Sequence, residues 1–302
     1  MTNTVNWRLL SYSVDGNAPR PGLLVNGQVL DIGRGTEANA ASTMDVLENW
    51  TALRSTLDRL AESIPADAPA VDDVTLHAPV PKPSAIFCAS SNYGDHVAEM
   101  SAKTLVDKST TWGPYVFLKT PHSVMDPDTD VRPPVNSEQL DWEIELGVVI
   151  GPGGSGIAPE DAYKHIAGYV ILNDLSARDL SRMGVFMPFN VDTLSSKSFD
   201  TSLPMGPWLT PADAVEDPMD LDLKLWVGEE LMQNSSTKWM YYDIAEQVSF
   251  LSRSLTLRPG DIIATGTPAG VGNPRGRFLK DGEVVVAEIE GLGRLRNTIR
   301  NR

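Results

Sequence analysis

The sequence predicts an α+β chain that is predominantly β. From residue 84 onward, short apolar segments sit between Gly/Pro turns at 84–89, 115–119, 142–151, 167–174, 221–228, 260–265 and 283–290, a strand-like rhythm. Helical pieces are expected only at 94–104, 159–166 and 243–254, so strands do not alternate with helices as a doubly wound α/β fold requires. No internal repeat is visible.

Ahead of that region, residues 5–31 read as a small β-meander with a turn at Gly27. A helix is expected around 43–63, where Met44, Val46, Leu47, Trp50, Leu53, Leu57 and Leu60 recur at three- and four-residue spacing and make one apolar face. The Pro/Ala-rich stretch 65–70 and Pro79-Val80-Pro81-Lys82-Pro83 punctuate the chain and place a boundary near 75–82. Such a stretch can serve as a partner ligand, but a linker or rigid turn is the reading adopted. The expected division is a small N-terminal α+β domain, 1–78, and a larger domain, 79–302, that carries the chemistry.

A chain of 302 residues can bury one large core, or one large and one small domain. Forty acidic residues against 25 basic ones give a formal charge of −15 and a pI near 4.6. Nucleic-acid binding needs a basic footprint, and none is present. An anionic substrate would need cations local to its site, because the global field repels it. The single Cys88 rules out an internal disulfide and fits a reducing compartment. Within Ala85-Ile86-Phe87-Cys88-Ala89 it reads as a small buried hydrophobe rather than a nucleophile. The first seven residues lack the features of a signal peptide, and no run approaches a membrane span, so a cytoplasmic protein with no membrane partner is expected.

The most telling segment is Asp141-Trp142-Glu143-Ile144-Glu145-Leu146-Gly147, which leads into Val148-Val149-Ile150. On a strand, side chains alternate, so Glu143 and Glu145 share a face roughly 7 Å apart while Trp142, Ile144 and Leu146 face a core. Paired desolvated carboxylates repel, so they need a cation or a shared proton. Asp174 adds a third acid at the end of the apolar run Tyr169-Val170-Ile171-Leu172-Asn173. Three convergent carboxylates with no Cys or His beside them suit a hard divalent ion, Mg²⁺ or Mn²⁺.

Other residues acquire meaning only around that cluster. His96 and Glu99 stand at i and i+3 if a helix begins near Gly94, where a carboxylate can orient an imidazole to activate water; most pairs at this spacing are surface neighbours. Asp174 can also be a strand-end or helix-cap residue, and Arg178 can pair with Asp179 or another acid. Lys197, in a small-residue loop, is either solvated or a neutraliser of substrate oxygens. Thr265-Gly266-Thr267-Pro268-Ala269-Gly270-Val271-Gly272 is not a P-loop. Its glycines let backbone N–H groups approach a ligand beside the Thr267 hydroxyl, and a plain turn is the other reading.

Taken together and in order, these segments resemble the fumarylacetoacetate hydrolase family, especially its bacterial acylpyruvate-type members. The matching runs are Ser91-Asn92-Tyr93 with His96 and Glu99, 114–119, 141–146, 165–169, 173–179, 197–200, 259–263 and 265–268. The resemblance implies a mixed β-sandwich-like roll, a homodimer, and one divalent cation per subunit. It makes Glu143, Glu145 and Asp174 the metal ligands, and His96 and Glu99 a water-activating dyad on a lid. Lys197 becomes a substrate-orienting catalytic cation, and Arg178, Gly266 and Thr267 substrate contacts. The chain departs from the pattern at Ser181, where many relatives carry Gln, and over 183–196; both bear on substrate identity and not on the metal. Residues 1–78 resemble the variable N-terminal extension of such enzymes and receive no chemistry.

The activity so implied is hydrolysis of a C–C bond in a 1,3-dicarbonyl (2,4-dioxo) acid such as an acylpyruvate, giving a 2-oxo acid and a carboxylic acid. Oxaloacetate decarboxylation, or hydration or isomerisation of unsaturated 2-oxo acids, would use the same cation and enolate chemistry. A metal-binding protein without turnover is the rival of another class, and the presence of both dyad residues counts against it.

Overall fold

The computed structural model describes residues 6–101, 107–182 and 191–301. It is mostly β with few helices. A large mixed sheet runs in the order Gln28–Asp31, Arg20–Val25, Trp7–Ser13, Leu203–Pro211, Ile166–Asn173, Ile144–Ile150, Ile262–Ala264, Ile86–Ser90, Tyr115–Lys119. Neighbours on this path are antiparallel except Ile262–Ala264 and Ile86–Ser90, which pair in parallel. A second sheet orders Glu230–Ser236, Asp222–Val227, Val284–Ile289, Gly293–Ile299 and Asp130–Val131. Leu140–Asp141 and Ser176–Ala177 form a separate two-stranded ladder.

Strand alternation sorts the core into two layers. Ile144, Leu146, Val148, Ile150, Tyr169 and Ile171 pack toward the second sheet with Leu223, Leu225, Val285, Ala287 and Leu295. Val149, Val170, Leu172, Ile262, Ala264, Ile86 and Cys88 face the other way, against Val46, Leu47, Trp50 and Leu57 from the N-terminal helices. The segment before residue 79 therefore shares a sheet and a core with the rest of the chain: Leu9 pairs with Leu209, and both are fully buried. Glu143, Glu145, Lys119 and Asp174 have the numbering parity of this second layer, so the charged groups gather on one face at the strand ends.

The expected strands are present, with three differences. The strand expected from 142 begins at Ile144, because the backbone N–H groups of Glu143 and Ile144 are taken by the Asn173 and Gln233 side chains instead of a ladder partner. The helix expected over 43–63 is two helices, Thr43–Glu48 and Trp50–Leu60, which meet at Asn49. Leu203–Pro211, Glu230–Ser236 and Gly293–Ile299 are additional strands. The helix Gly94–Ser101 covers the described part of the expected 94–104, Pro159–His165 is 3₁₀, and Ile244–Ser252 carries an Asp243/Glu246 capping box. Residues 183–190, within the departure at 183–196, lie outside the described residues, as do 102–106. No helix among the described residues is long and apolar enough to cross a membrane.

Candidate active site

The ends of neighbouring strands bring the three acids together. Each of Glu143, Glu145 and Asp174 offers an oxygen, all within 4.8 Å of one another, and all three residues are buried. The Glu143 carbonyl accepts the Asp174 N–H at 2.8 Å, which ties the two acid-bearing segments by backbone.

Three cations stand among them. Lys197 Nζ donates to Glu143 Oε2 and to Asp174 Oδ2, both at 2.7 Å. Lys119 Nζ, whose side chain has no exposed surface, donates to Asp174 Oδ1 at 2.5 Å and to the Leu175 carbonyl at 3.3 Å. Arg178 donates from Nε to Asp141 Oδ2 at 2.8 Å and from a terminal nitrogen to Glu143 Oε1 at 2.6 Å. Asp141 also accepts the N–H groups of Trp142, Gly272 and Asn273.

Four buried carboxylates thus face two buried lysines and the half-buried Arg178, and among the described residues Glu145 is the one of these acids with no hydrogen-bonded cation. Among the described residues it accepts the Gly266 N–H alone, at 2.8 Å. Burial, with Asp174 and Glu143 beside it, pushes its carboxyl well above the usual range. Burial also acts to raise Glu143, but Lys197, Arg178 and His96 outweigh it and hold that carboxyl well below its ordinary value. Lys197 is stabilised as an ammonium by Asp174 and Glu143 against its own burial. Lys119 is lowered, first by burial and then by Lys197, against the pull of Asp174. An oxygen-only donor set with one uncompensated carboxylate fits a hard divalent cation.

The dyad expected from the sequence is formed. His96 Nδ1 lies 3.2 Å from Glu99 Oε1 on the helix Gly94–Ser101, and Glu99 accepts the Gly270 N–H at 2.9 and 3.0 Å. Burial acts to raise the Glu99 carboxyl, but the His96 and Gly270 bonds outweigh it and leave it below its ordinary value. The Glu99 bond engages Nδ1 and leaves Nε2 for proton transfer. His96 adds to the depression of Glu143, so dyad and acid cluster lie in one electrostatic neighbourhood.

Two glycines allow these backbone donors. Gly266 has φ +99°, and a Cβ there would meet Asn92 Cβ at 2.8 Å; Gly270 has φ +108°, and a Cβ there would lie 2.2 Å from the Met232 carbonyl oxygen. Both positions therefore demand glycine. Asn92 donates to the Thr265 and Tyr242 carbonyls and accepts the Tyr242 N–H, pinning the start of the dyad helix to the 265–270 loop.

Some expectations change in detail. Lys197 is not in a loop but ends the short helix Thr193–Lys197, capped by Asp192, and it is buried among the acids. Arg178 pairs with Asp141 and Glu143 rather than Asp179, whose carboxylate is held by Ser137 and the Glu138 N–H. Its guanidinium is thus engaged by two acids of the cluster. Ser181 closes a turn on the Arg178 carbonyl. Cys88 is buried, and burial pushes its thiol well up, as suits a hydrophobe. Sequence reasoning gave no role to Lys119, Asp141 or Gln233; a Lys closing the apolar strand at 115–119 was the available signal for the first.

Replacing Lys197 by Met leaves Glu143 and Asp174 each short of a cation. Removing one partner of a buried pair costs about 3–5 kcal/mol, so chelated Lys197→Met protein should lose stability on that scale in urea titration. With metal restored, KM should rise and kcat fall together, and Lys197→Arg should recover only part of the loss. Kinetics within about twofold of wild type would make this Lys a structural counter-ion only.

The family model for the fumarylacetoacetate (FAA) hydrolase C-terminal domain matches residues 85–300. The chain is 40% identical over 233 residues to oxaloacetate tautomerase YisK of Bacillus subtilis (strain 168), covering 76% of this chain and 74% of that protein. It is 37% identical over 278 residues to mitochondrial oxaloacetate tautomerase FAHD2B of Bos taurus, covering 90% and 84%. The crystal structure of maleylpyruvate hydrolase from Sphingobium sp. SYK-6, in complex with manganese(II) and pyruvate, superposes with a TM-score of 0.75 at 27% identity, covering 97% of this chain and 99% of that one.

Proposed function

The chain belongs to the fumarylacetoacetate hydrolase family, and on that premise we propose that it is a divalent-metal-dependent keto–enol isomerase of a 2-oxo acid, with oxaloacetate as the first substrate to test. The observation that carries the reading is the His96–Glu99 dyad beside three buried acids, in a chain similar over most of its length to two oxaloacetate tautomerases. Glu143, Glu145 and Asp174 would hold the ion, which when bound supplies Lewis-acid neutralisation of the substrate's oxygens.

The chain's own groups do the rest. His96 Nε2 exchanges a proton with C3 of the acid, while Glu99 holds the ring by Nδ1 and stabilises the imidazolium that forms. The proton that leaves C3 is balanced by one delivered to the C2 oxygen, so the C–C skeleton is unchanged. Lys197 and Arg178 keep Glu143 ionised and offset the charge an anionic acid brings in. Gly266 fixes Glu145, and Thr267 offers its hydroxyl to the acid.

C–C hydrolysis of an acylpyruvate is the second reading. The same dyad can deprotonate water, and the superposing maleylpyruvate hydrolase favours it. A panel of 2-oxo and 2,4-dioxo acids, assayed with product analysis, separates the two. Isomerisation leaves one unbroken product, hydrolysis yields two fragments, and CO₂ release indicates decarboxylation. Chelator should abolish turnover, and Mg²⁺ or Mn²⁺ should restore it; full activity in excess chelator, or none on the whole panel with either ion, would sink the metal-dependent enzyme.

A further inference from the structure

Gln233, far from the recognised motifs, sits fully buried on the strand Glu230–Ser236 beneath the 267–270 loop. Its Oε1 accepts the Ile144 N–H at 3.0 Å, and its Nε2 donates to the Pro268 carbonyl at 2.9 Å and to Thr267 Oγ1 at 2.8 Å. These partners fix which end of the amide is which: a backbone N–H can only donate, and a carbonyl can only accept. The nitrogen facing Thr267 is therefore a donor with no acceptor capacity. Thr267 Oγ1 must accept, and its own proton is directed elsewhere. No described residue takes that proton, although Thr267 is nearly buried.

We infer that Gln233 is a positioning and specificity-determining residue that commits the Thr267 hydroxyl to donate to an oxygen of the bound acid. A hydroxyl so locked offers its proton to a carboxylate or carbonyl oxygen of the acid. Gln233 also joins the segment that begins the acid strand at Ile144 to the loop that donates to Glu145 and Glu99, so the donor and the acid cluster keep a common register. The inference deepens the proposed function and rests on its reading of Thr267 as a substrate contact.

The test is a double-mutant cycle read by calorimetry, with pyruvate titrated into Mg²⁺-loaded full-length protein. Gln233→Glu places a pure acceptor against Thr267, so the hydroxyl turns back toward residue 233. Pyruvate Kd should rise roughly ten- to a hundredfold, the range of one hydrogen bond to a charged group. Thr267→Val should lose a similar amount, and Thr267→Ser should stay near wild type. In the Thr267→Val background, Gln233→Glu should cost little further affinity, because the hydroxyl it acts through is gone. Should Gln233→Glu fail to fold, Gln233→Met closes the same cycle, because the Thr267 proton then turns to the freed Pro268 carbonyl. Unchanged pyruvate affinity in Thr267→Val would overturn both the contact and the inference. A weakened Thr267→Val in which the Gln233 effect persists undiminished would overturn the inference alone.

Discussion

Glu145→Gln should abolish metal binding while making the chelated protein more stable. Among the described residues Glu145 is the acid of this cluster with no hydrogen-bonded cation, and its burial is offset by the nearby Lys197 charge and the Gly266 N–H. The Gln carbonyl oxygen keeps that bond and removes the charge, so the cost of a buried unpaired group disappears. Thermal unfolding in chelator should therefore shift upward. In the wild type, Mg²⁺ or Mn²⁺ at 100 times Kd should add about 2.7 kcal/mol by mass action, and in Glu145→Gln that increment should vanish. Glu143→Ala should also lose the ion but differs in sign for the fold, because it strands Arg178 and Lys197 without a shared acceptor. A Glu145→Gln protein that binds Mg²⁺ with wild-type affinity would contradict the assignment of this carboxylate as a ligand.

His96→Ala and Glu99→Gln should each lower kcat by roughly 10²- to 10⁴-fold, the range of a general acid–base group, with the metal still bound. The two losses should not multiply, since Glu99 acts through the imidazole it holds. Glu99→Gln has a particular weakness: the amide can accept the Gly270 N–H, but its charge can no longer stabilise the imidazolium. Calorimetry showing normal Mg²⁺ binding beside unaltered turnover would remove the dyad from the mechanism.

Legibility in the sequence followed the range of the interaction. Glu143, Glu145 and Asp174 were readable because alternation and adjacency to apolar runs are local signals, and His96 with Glu99 because i and i+3 share a helix face. The cations were not readable as a network. Lys119 reaches Asp174 across 55 residues, and Arg178 reaches Asp141 across 37, distances at which no local pattern operates. Gln233 was invisible for another reason: an amide in a strand reads as a solvated side chain until its three partners are seen. The strand Leu203–Pro211 was masked by Pro204, Gly206, Pro207 and Pro211, which read as turn residues. Lys197 read as a loop residue because Ser195-Ser196-Lys197-Ser198 is a run of small polar residues; the Asp192 N-cap supplies the start of that short helix.

In the proposed reaction the His96–Glu99 dyad, beside the acid cluster, moves a proton on a 2-oxo acid without breaking its skeleton. Proton NMR of oxaloacetate in D₂O with Mg²⁺ present reports this directly, as loss of the C3 proton signal above the buffer rate. Wild-type protein should accelerate that exchange with no second carbon fragment formed, and His96→Ala, still binding Mg²⁺, should retain about one per cent or less of the acceleration above buffer, the lower bound of a 10²-fold loss. Exchange at the buffer rate with wild-type protein, or equal acceleration by wild type and His96→Ala, would contradict it.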